Sequence, residues 1–496
     1  MTVNVGKNIW HVTLWTFLTS IFTYVFWFIG AKFAGPSAIG TASYMGSLIL
    51  IISTIDVLDI SLGMKRSLGL AISEGDASKY KQVLISSLFF VSLIVGVAII
   101  IILAPGLDLI HMLKISDKYT MIFVIMVIIL PFQTIFTESL IAASRSKDLI
   151  YPLIIGSLAR FPVFISILYI FDEPTLSIIV GYFSMWYITA GLYGYYTFKV
   201  FRHSSESAFK NLTTNMRHVL QAGLSSWVPH TVYVLGAQLG VVTVVASAGE
   251  SEGGKFYLAM GIYLVTMFIV MGITKVTHSS ISGLGKEKEQ TSFLLYSIKI
   301  AYILTMPISV PIFYFSGKFL AIMGQEFSSS GPALSILIIG LPLAMISEMI
   351  YYFMYGRAEH RVVLFLGLAG NIPRVILYFI LPIYIGINGA ALAYVVGSLC
   401  QMTLSVVIGN RYRIAMEFSR YALITAVPFL IGLPLFLFNI QFIVSSLIIF
   451  FGSLLIYIKI GILTEADIMN FVYMVFSRKT GDKIYSIVSV ILKKIT

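Results

Sequence analysis

Fourteen apolar stretches, each long enough to cross a bilayer, follow one another along this 496-residue chain with only short polar links between them. They run over 9–30, 40–62, 83–104, 119–142, 150–171, 175–198, 219–246, 257–280, 293–316, 332–355, 362–384, 388–409, 421–438 and 442–463. A crossing helix needs about 20 mostly apolar residues. Within lipid, backbone N–H and C=O groups must be satisfied inside the segment, so each stretch is expected to be helical. The period-two alternation of a membrane β-barrel is absent. Hydrophobic residues make up 58% of the chain and charged ones 11%, against roughly 25% charged in a soluble domain. No water-soluble fold hides that much apolar surface. The expectation is an all-α integral membrane protein with fourteen transmembrane helices.

Basic residues set the orientation. Of the 33 lysines and arginines, 24 fall on one side of this span arrangement and five on the other. The crowded side is read as cytoplasmic, with both termini there. The net charge of +11 is this inside excess, not a nucleic-acid footprint. The first span is too long for a cleaved signal, has no small-residue cleavage site after it and is expected to stay. Links are too short for a folded soluble domain. Gly285-Lys286-Glu287 and Gly317-Lys318-Phe319 both lack the final Ser/Thr of a phosphate-cradling P-loop. The single cysteine, Cys400, offers no disulfide framework. Asn211-Leu-Thr213 fits a glycosylation sequon but falls in a cytoplasmic link, where it has no meaning. No HExxH, Cys/His cluster or Gly-x-Ser-x-Gly is present, so no cofactor or metal is expected.

The chain also repeats itself. Pro131 and Pro162 stand in spans four and five; Pro342 and Pro373 stand in spans ten and eleven, each 211 residues further on. Gly156 pairs with Gly367 at the same offset, Arg145 and Arg357 open the same link, and Arg160 and Arg374 both lie within two residues of the repeated proline. Six spans is an even number, so two such copies insert the same way round, as parallel repeats seen in transporters, where substrate sites lie near the midplane between the halves. The expected organisation is an N-terminal lobe over 1–212, a C-terminal lobe over 213–415, two added helices over 416–464, and a basic amphipathic tail over 465–496 lying on the inner leaflet.

The second span opens with Gly35-Pro36-Ser37-Ala38-Ile39-Gly40 and closes with Leu62-Gly63-Met64-Lys65-Arg66. Tyr355-Gly356-Arg357-Ala358-Glu359 joins spans ten and eleven, and Ile387-Asn388-Gly389-Ala390-Ala391 opens span twelve. With the plan of twelve spans plus two, these runs resemble the polysaccharide branch of the multidrug/oligosaccharidyl-lipid/polysaccharide exporter superfamily. The resemblance covers the whole chain. It implies a flippase in the cell membrane that carries a polyprenyl-(pyro)phosphate-linked glycan from the cytoplasmic to the outer leaflet by alternating access, with membrane lipids as its other partners and a monomeric state.

Ionisable groups inside a membrane are costly, and each is a functional hypothesis. Arg160 and Arg374 stand near the centres of spans five and eleven. Guanidinium is permanently charged, and its planar fork suits phosphate oxygens. The pair is read as an anion site for a (pyro)phosphate; the competing reading has them capping carbonyls freed by the nearby prolines. Lys275, beside Thr274, Thr277 and His278, is a third headgroup candidate. Lys299 is expected to snorkel to the headgroups. Asp56, Asp59, Glu138 and Glu348 are read either as salt-bridge partners of Lys65, Arg66, Arg145 and Arg357 or as a proton or Na+ coupling site. His230, after Pro229 in span seven, is either a proton relay or a packing residue. The runner-up function is a cation-coupled multidrug exporter of the same superfamily. Its members commonly carry a membrane-buried acidic residue in the N-terminal half, often in the first span, and the first span has none here. A membrane glycosyltransferase or polymerase would need catalytic residues in large outer links, and these are short.

Overall fold

The computed structural model describes residues 5–56, 58–104, 107, 109–200, 212–467 and 469. Asn211 and the tail from residue 470 onward lie outside the described residues, as does the side chain of Asp56. Among the described residues the elements are all helical, and twelve helices are long and apolar enough to cross a membrane.

The chain forms two compact units, 1–257 and 258–496. The first holds α1 (Val5–Asp56), α2 (Ile60–Ser73), α3 (Ala77–Ile102), α4 (Leu109–Met112), α5 (Asp117–Ala142), α6 (Ile150–Phe171), α7 (Pro174–Val200), α8 (Leu212–Ala248) and the first turns of α9 (Glu250–Gly283). The second holds the rest of α9 with α10 (Glu287–Tyr314), α11 (Ser316–Ala321), α12 (Gly331–Gly356), α13 (His360–Arg411), α14 (Phe418–Leu437) and α15 (Phe442–Lys459).

Each apolar stretch falls largely on a helix, but two pairs are not separated by links. α1 carries the first and second stretches and α13 the eleventh and twelfth, each as one element of 52 residues. The link expected between them is a kink instead. In α1 it sits at Gly35, with φ 77° and ψ 175°, followed by Pro36. Only glycine adopts that region readily. Proline then disfavours helical geometry in the residue before it and suits the first turn of the helix it opens. In α13 the break falls at Ile385 and Gly386.

The same motif explains Gly40. A Cβ built there would stand 1.8 Å from the Glu250 carbonyl oxygen, and one on Gly254 would stand 2.0 Å from the Pro36 carbonyl oxygen. The second half of α1 and the first turn of α9 are thus in backbone-to-backbone contact, which any side chain would prise apart.

The second stretch is also shorter as helix than expected. α1 ends at Asp56 and α2 begins at Ile60, with Leu58 (φ 47°) and Asp59 (φ 51°) in the left-handed region between them. α8 packs on this unwound turn through Gly223, whose added Cβ would lie 2.8 Å from the Leu58 carbonyl oxygen.

Candidate functional site

Arg160 lies on α6 and is fully buried. Its Nη2 donates to the Met185 sulfur on α7, and its guanidinium lies 5.2 Å from the centre of the Phe26 ring. Phe161, Phe164 and Tyr182 pack their rings on Phe26, and Trp27 on Tyr182. Nε and Nη1 of Arg160 have no hydrogen-bond partner, and no carboxylate pairs with it among the described residues. An unpaired cation in such surroundings costs several kcal/mol, about as much as losing one member of a buried pair. The aromatic faces offset part of that cost.

Arg374 lies on α13 and is 8% exposed. It is better satisfied. Nη1 donates to Asn371 Oδ1 at 3.0 Å, Nη2 to Ser398 Oγ at 3.3 Å, and the guanidinium lies 4.0 Å from the Tyr394 ring centre. Gly397 makes room, since an added Cβ would stand 2.8 Å from Arg374 Cβ. Glu348 of α12 is half-buried and within electrostatic reach of Arg374. Nε is left without a partner.

The turns that lead into these two helices match. Arg145 N–H bonds to the Leu140 carbonyl and Ser144 N–H to that of Ile141; Glu359 N–H bonds to Met354 and Ala358 N–H to Tyr355 in the same pattern. This is the glycine-type helix stop, here with Ser144 at φ 55° and Ala358 at φ 59°. Each of these two residues stands sixteen positions before the buried arginine.

Three of the carboxylate and histidine candidates meet in one place. A cavity of about 360 Å³ in the first unit is lined by α1, α2, α5, α6, α7 and α8, and Asp59, Glu138 and His230 all border it. Asp59 Oδ1 lies 3.5 Å from His230 Nδ1, and Ser61 Oγ donates to the same oxygen at 3.3 Å. Glu138 pairs with Lys65 at 2.5 Å. Met185 borders the cavity too, so Arg160 stands one side chain behind its wall.

Other candidates stand apart. Glu348 and Arg374 belong to the second unit. Arg145 pairs with Asp148 at 2.6 Å and Arg357 with Glu287 at 2.9 Å, rather than with Glu138 or Glu348. Lys275 is exposed on α9 and borders no part of the cavity. Lys299 does not snorkel. It is buried on α10 and pairs with Asp467 at 2.5 Å. The chain after α15 turns back to bring that carboxylate in.

Sequence reasoning passed over the uncharged polar groups of the cavity. Gln133 is 7% exposed and borders the cavity; its backbone carbonyl accepts from Thr137 Oγ1 at 2.8 Å, and its side-chain amide has no hydrogen-bond partner among the described residues. The available signal was an amide two positions after Pro131 in an otherwise apolar span.

Twelve helices long and apolar enough to cross a membrane, two buried arginines and a cavity with a few polar groups in its wall describe a multi-pass membrane protein. No family model matches the sequence, and no curated sequence does. Solved structures do match. The lipid II flippase MurJ in an inward closed conformation superposes with a TM-score of 0.70 at 15% identity, over 91% of this chain and 99% of that one. An inward-facing multidrug resistance MATE family transporter of the MOP superfamily gives 0.67 at 15% identity, over 80% and 94%. A MOP superfamily transporter from Pyrococcus furiosus gives 0.52 at 18%, over 82% and 93%. At these identities the likeness is one of fold: the chain has the fold of the MOP-superfamily transporters.

Proposed function

We propose that this protein is a flippase that moves a lipid-linked oligosaccharide, a glycan on polyprenyl (pyro)phosphate, from the cytoplasmic to the outer leaflet by alternating access. The observation that carries this reading is Arg160, a buried guanidinium with two unsatisfied nitrogens and no carboxylate partner among the described residues, hydrogen-bonded to Met185, whose side chain borders the cavity. A swing of that thioether opens a charge-assisted site to a phosphate. Arg374, with its free Nε, is the second arginine of the anion machinery. Lys275 is an accessory headgroup contact from an exposed position.

We read the two broken 52-residue helices as two crossings each, which makes fourteen spans. The six-helix lobes over 1–212 and 213–415 then form two parallel copies, followed by 416–464 and the tail over 465–496. The matched turns before Arg160 and Arg374 support that reading. We read the protein as a monomeric secondary transporter rather than an enzyme, in the cell membrane with both termini cytoplasmic. Asp59, Glu138 and His230 around the cavity, with Asp56 and Glu348, are the candidates for coupling to H+ or Na+.

A second reading, a cation-coupled multidrug exporter, is favoured by one observation: the titratable groups bordering the cavity are two carboxylates and a histidine, which suit a cationic guest.

The test is transfer of a fluorescent lipid-linked oligosaccharide between leaflets of reconstituted vesicles, with and without ion gradients. Truncating Arg160 or Arg374 removes charge-assisted hydrogen bonds worth ~1.5–3 kcal/mol, so lipid-phosphate binding should weaken roughly ten- to hundredfold. Arg160→Lys and Arg374→Lys should rescue only in part, because they keep the charge and lose the fork. Wild-type transfer by both alanine variants at normal expression would remove the anion site from these positions. Efflux of an organic cation without lipid transfer would favour the second reading.

A further inference from the structure

We infer that the cavity of the first unit is a binding subsite for a neutral sugar, the first ring or rings of the glycan next to the phosphate. This rests on the flippase reading above. The charges around the cavity are largely answered: Lys65 holds Glu138 at 2.5 Å, and His230 and Ser61 face Asp59. Several of the groups left unanswered are neutral. The Gln133 amide, 93% buried, has no partner among the described residues. The Ser53 hydroxyl is buried without a partner. Gln238 accepts from Ser47 at 3.0 Å through Oε1, which leaves its amide nitrogen to donate.

Buried amides and hydroxyls without partners are costly and rare. Two amides and a hydroxyl converging on one space match the alternating donors and acceptors of a sugar's hydroxyl groups. The apolar faces of a sugar ring need flat partners, and the indoles of Trp15 and Trp186 border the same space. Trp15 is held by a 3.0 Å hydrogen bond from its Nε1 to the Tyr193 hydroxyl. A volume of about 360 Å³ falls in the ~300–1,000 Å³ range of small-ligand sites. The subsite also lies beside the only wall residue that touches the Arg160 guanidinium by a hydrogen bond, Met185. A lipid-linked sugar has the same layout, with its ring directly bonded to the phosphate.

The test compares two fluorescent lipids in vesicles holding the purified full chain: a polyprenyl pyrophosphate carrying a neutral disaccharide, and the same lipid with no sugar. Gln133→Leu and Trp186→Leu should each lower transfer of the sugar-bearing lipid at least about tenfold, while binding of the bare lipid stays within about twofold of wild type. Trp186→Phe should keep most of the transfer, because it keeps a ring face. Normal discrimination between the two lipids in both leucine variants would overturn the inference while leaving the flippase reading intact. So would an equal loss for both lipids, which would place the effect on folding or on the phosphate. If the wild-type chain moves neither lipid, the flippase reading fails and takes the subsite with it. If the variants instead lose only efflux of tetraphenylphosphonium, the cavity serves organic cations and the inference is wrong.

Discussion

Lys299 sits inside an apolar helix and meets its carboxylate, Asp467, from 168 residues away. The pair is nearly closed to solvent, and Thr464 adds two hydrogen bonds to the same carboxylate oxygen, one from its N–H at 2.9 Å and one from its hydroxyl at 2.6 Å. Burial works to raise the Asp467 carboxyl, but the hydrogen bonds from Lys299 and Thr464 outweigh it and hold it below the usual carboxylate range. A lowered folded-state value means the pair stabilises fully above the unfolded value near 3.8 and is lost as pH falls through the lower folded one. Asp467→Asn should therefore cost about 3–5 kcal/mol at neutral pH by stranding a buried ammonium, while the double change Lys299→Met with Asp467→Leu should recover most of it. Thermal unfolding of the detergent-solubilised protein checks this. An unchanged midpoint in Asp467→Asn, or a wild-type difference that persists well below pH 3.8, would show that the contact contributes nothing. The pairing was not legible because sequence reading matches charges by nearness along the chain, and a lysine near the end of a span is equally compatible with snorkelling. Arg160 was legible as a buried cation, since its position fixes its depth. Its cage of rings was not, because Phe26, Phe161 and Tyr182 come from three different helices.

At the scale of the element, hydropathy located the helices and said little about how they end. Apolar runs of the right length are enough to place α5, α6, α7, α12, α14 and α15 within a few residues, while α3, α8 and α10 begin six or seven residues before the apolar run does. The kinks are decided by single residues. Gly35 and Pro36 join two helical stretches of α1 at a kink, so the two helices expected here are present while the polar link expected between them is not. The glycine motif carries two separable demands, and each predicts a loss. Gly35→Ala meets a backbone region that is essentially glycine-only and should cost ~1–3 kcal/mol. Gly40→Ala meets the Glu250 carbonyl at 1.8 Å, an overpacking that should also cost about 1–3 kcal/mol. Gly46→Ala, on the same helix with its nearest neighbour at 3.7 Å, should be tolerated. Melting midpoints of the three purified variants give the order; equal stability of Gly40→Ala and Gly46→Ala would mean that the α1–α9 contact yields easily. The unwound turn at Leu58 and Asp59 had no glycine to signal it, and although aspartate enters the left-handed region more readily than most residues, leucine does not. It is held there by α8 packed on its carbonyls.

For the whole molecule, the two broken helices decide the topology. The two helical stretches that make up α1, or α13, hold 52 residues together and would reach about 78 Å if laid end to end at 1.5 Å per residue, far more than the ~30 Å of hydrocarbon in a bilayer. Either each crosses twice with its kink at the far surface, or each crosses once with its remainder along the interface. The terminal side does not separate these cases, because twelve and fourteen crossings both return the chain to the side on which it began. The links between the two long helices do separate them, since a single crossing by α1 reverses every one. Lys65, Lys79 and Lys81 follow α1 directly, and Lys286 and Lys288 come later in the same stretch. Two crossings put all five on the basic, cytoplasmic side, and one crossing puts them outside, against the charge bias. We therefore expect two crossings. In a Cys400→Ser background, an impermeant thiol reagent added to intact cells should label Met112→Cys and Ser329→Cys and miss Ala77→Cys and Glu289→Cys, all four at exposed positions. The opposite pattern, with both termini still inside, would mean that α1 crosses once. Span two would then cease to be a span, and the six-helix repeat and the lobes over 1–212 and 213–415 would fall with it.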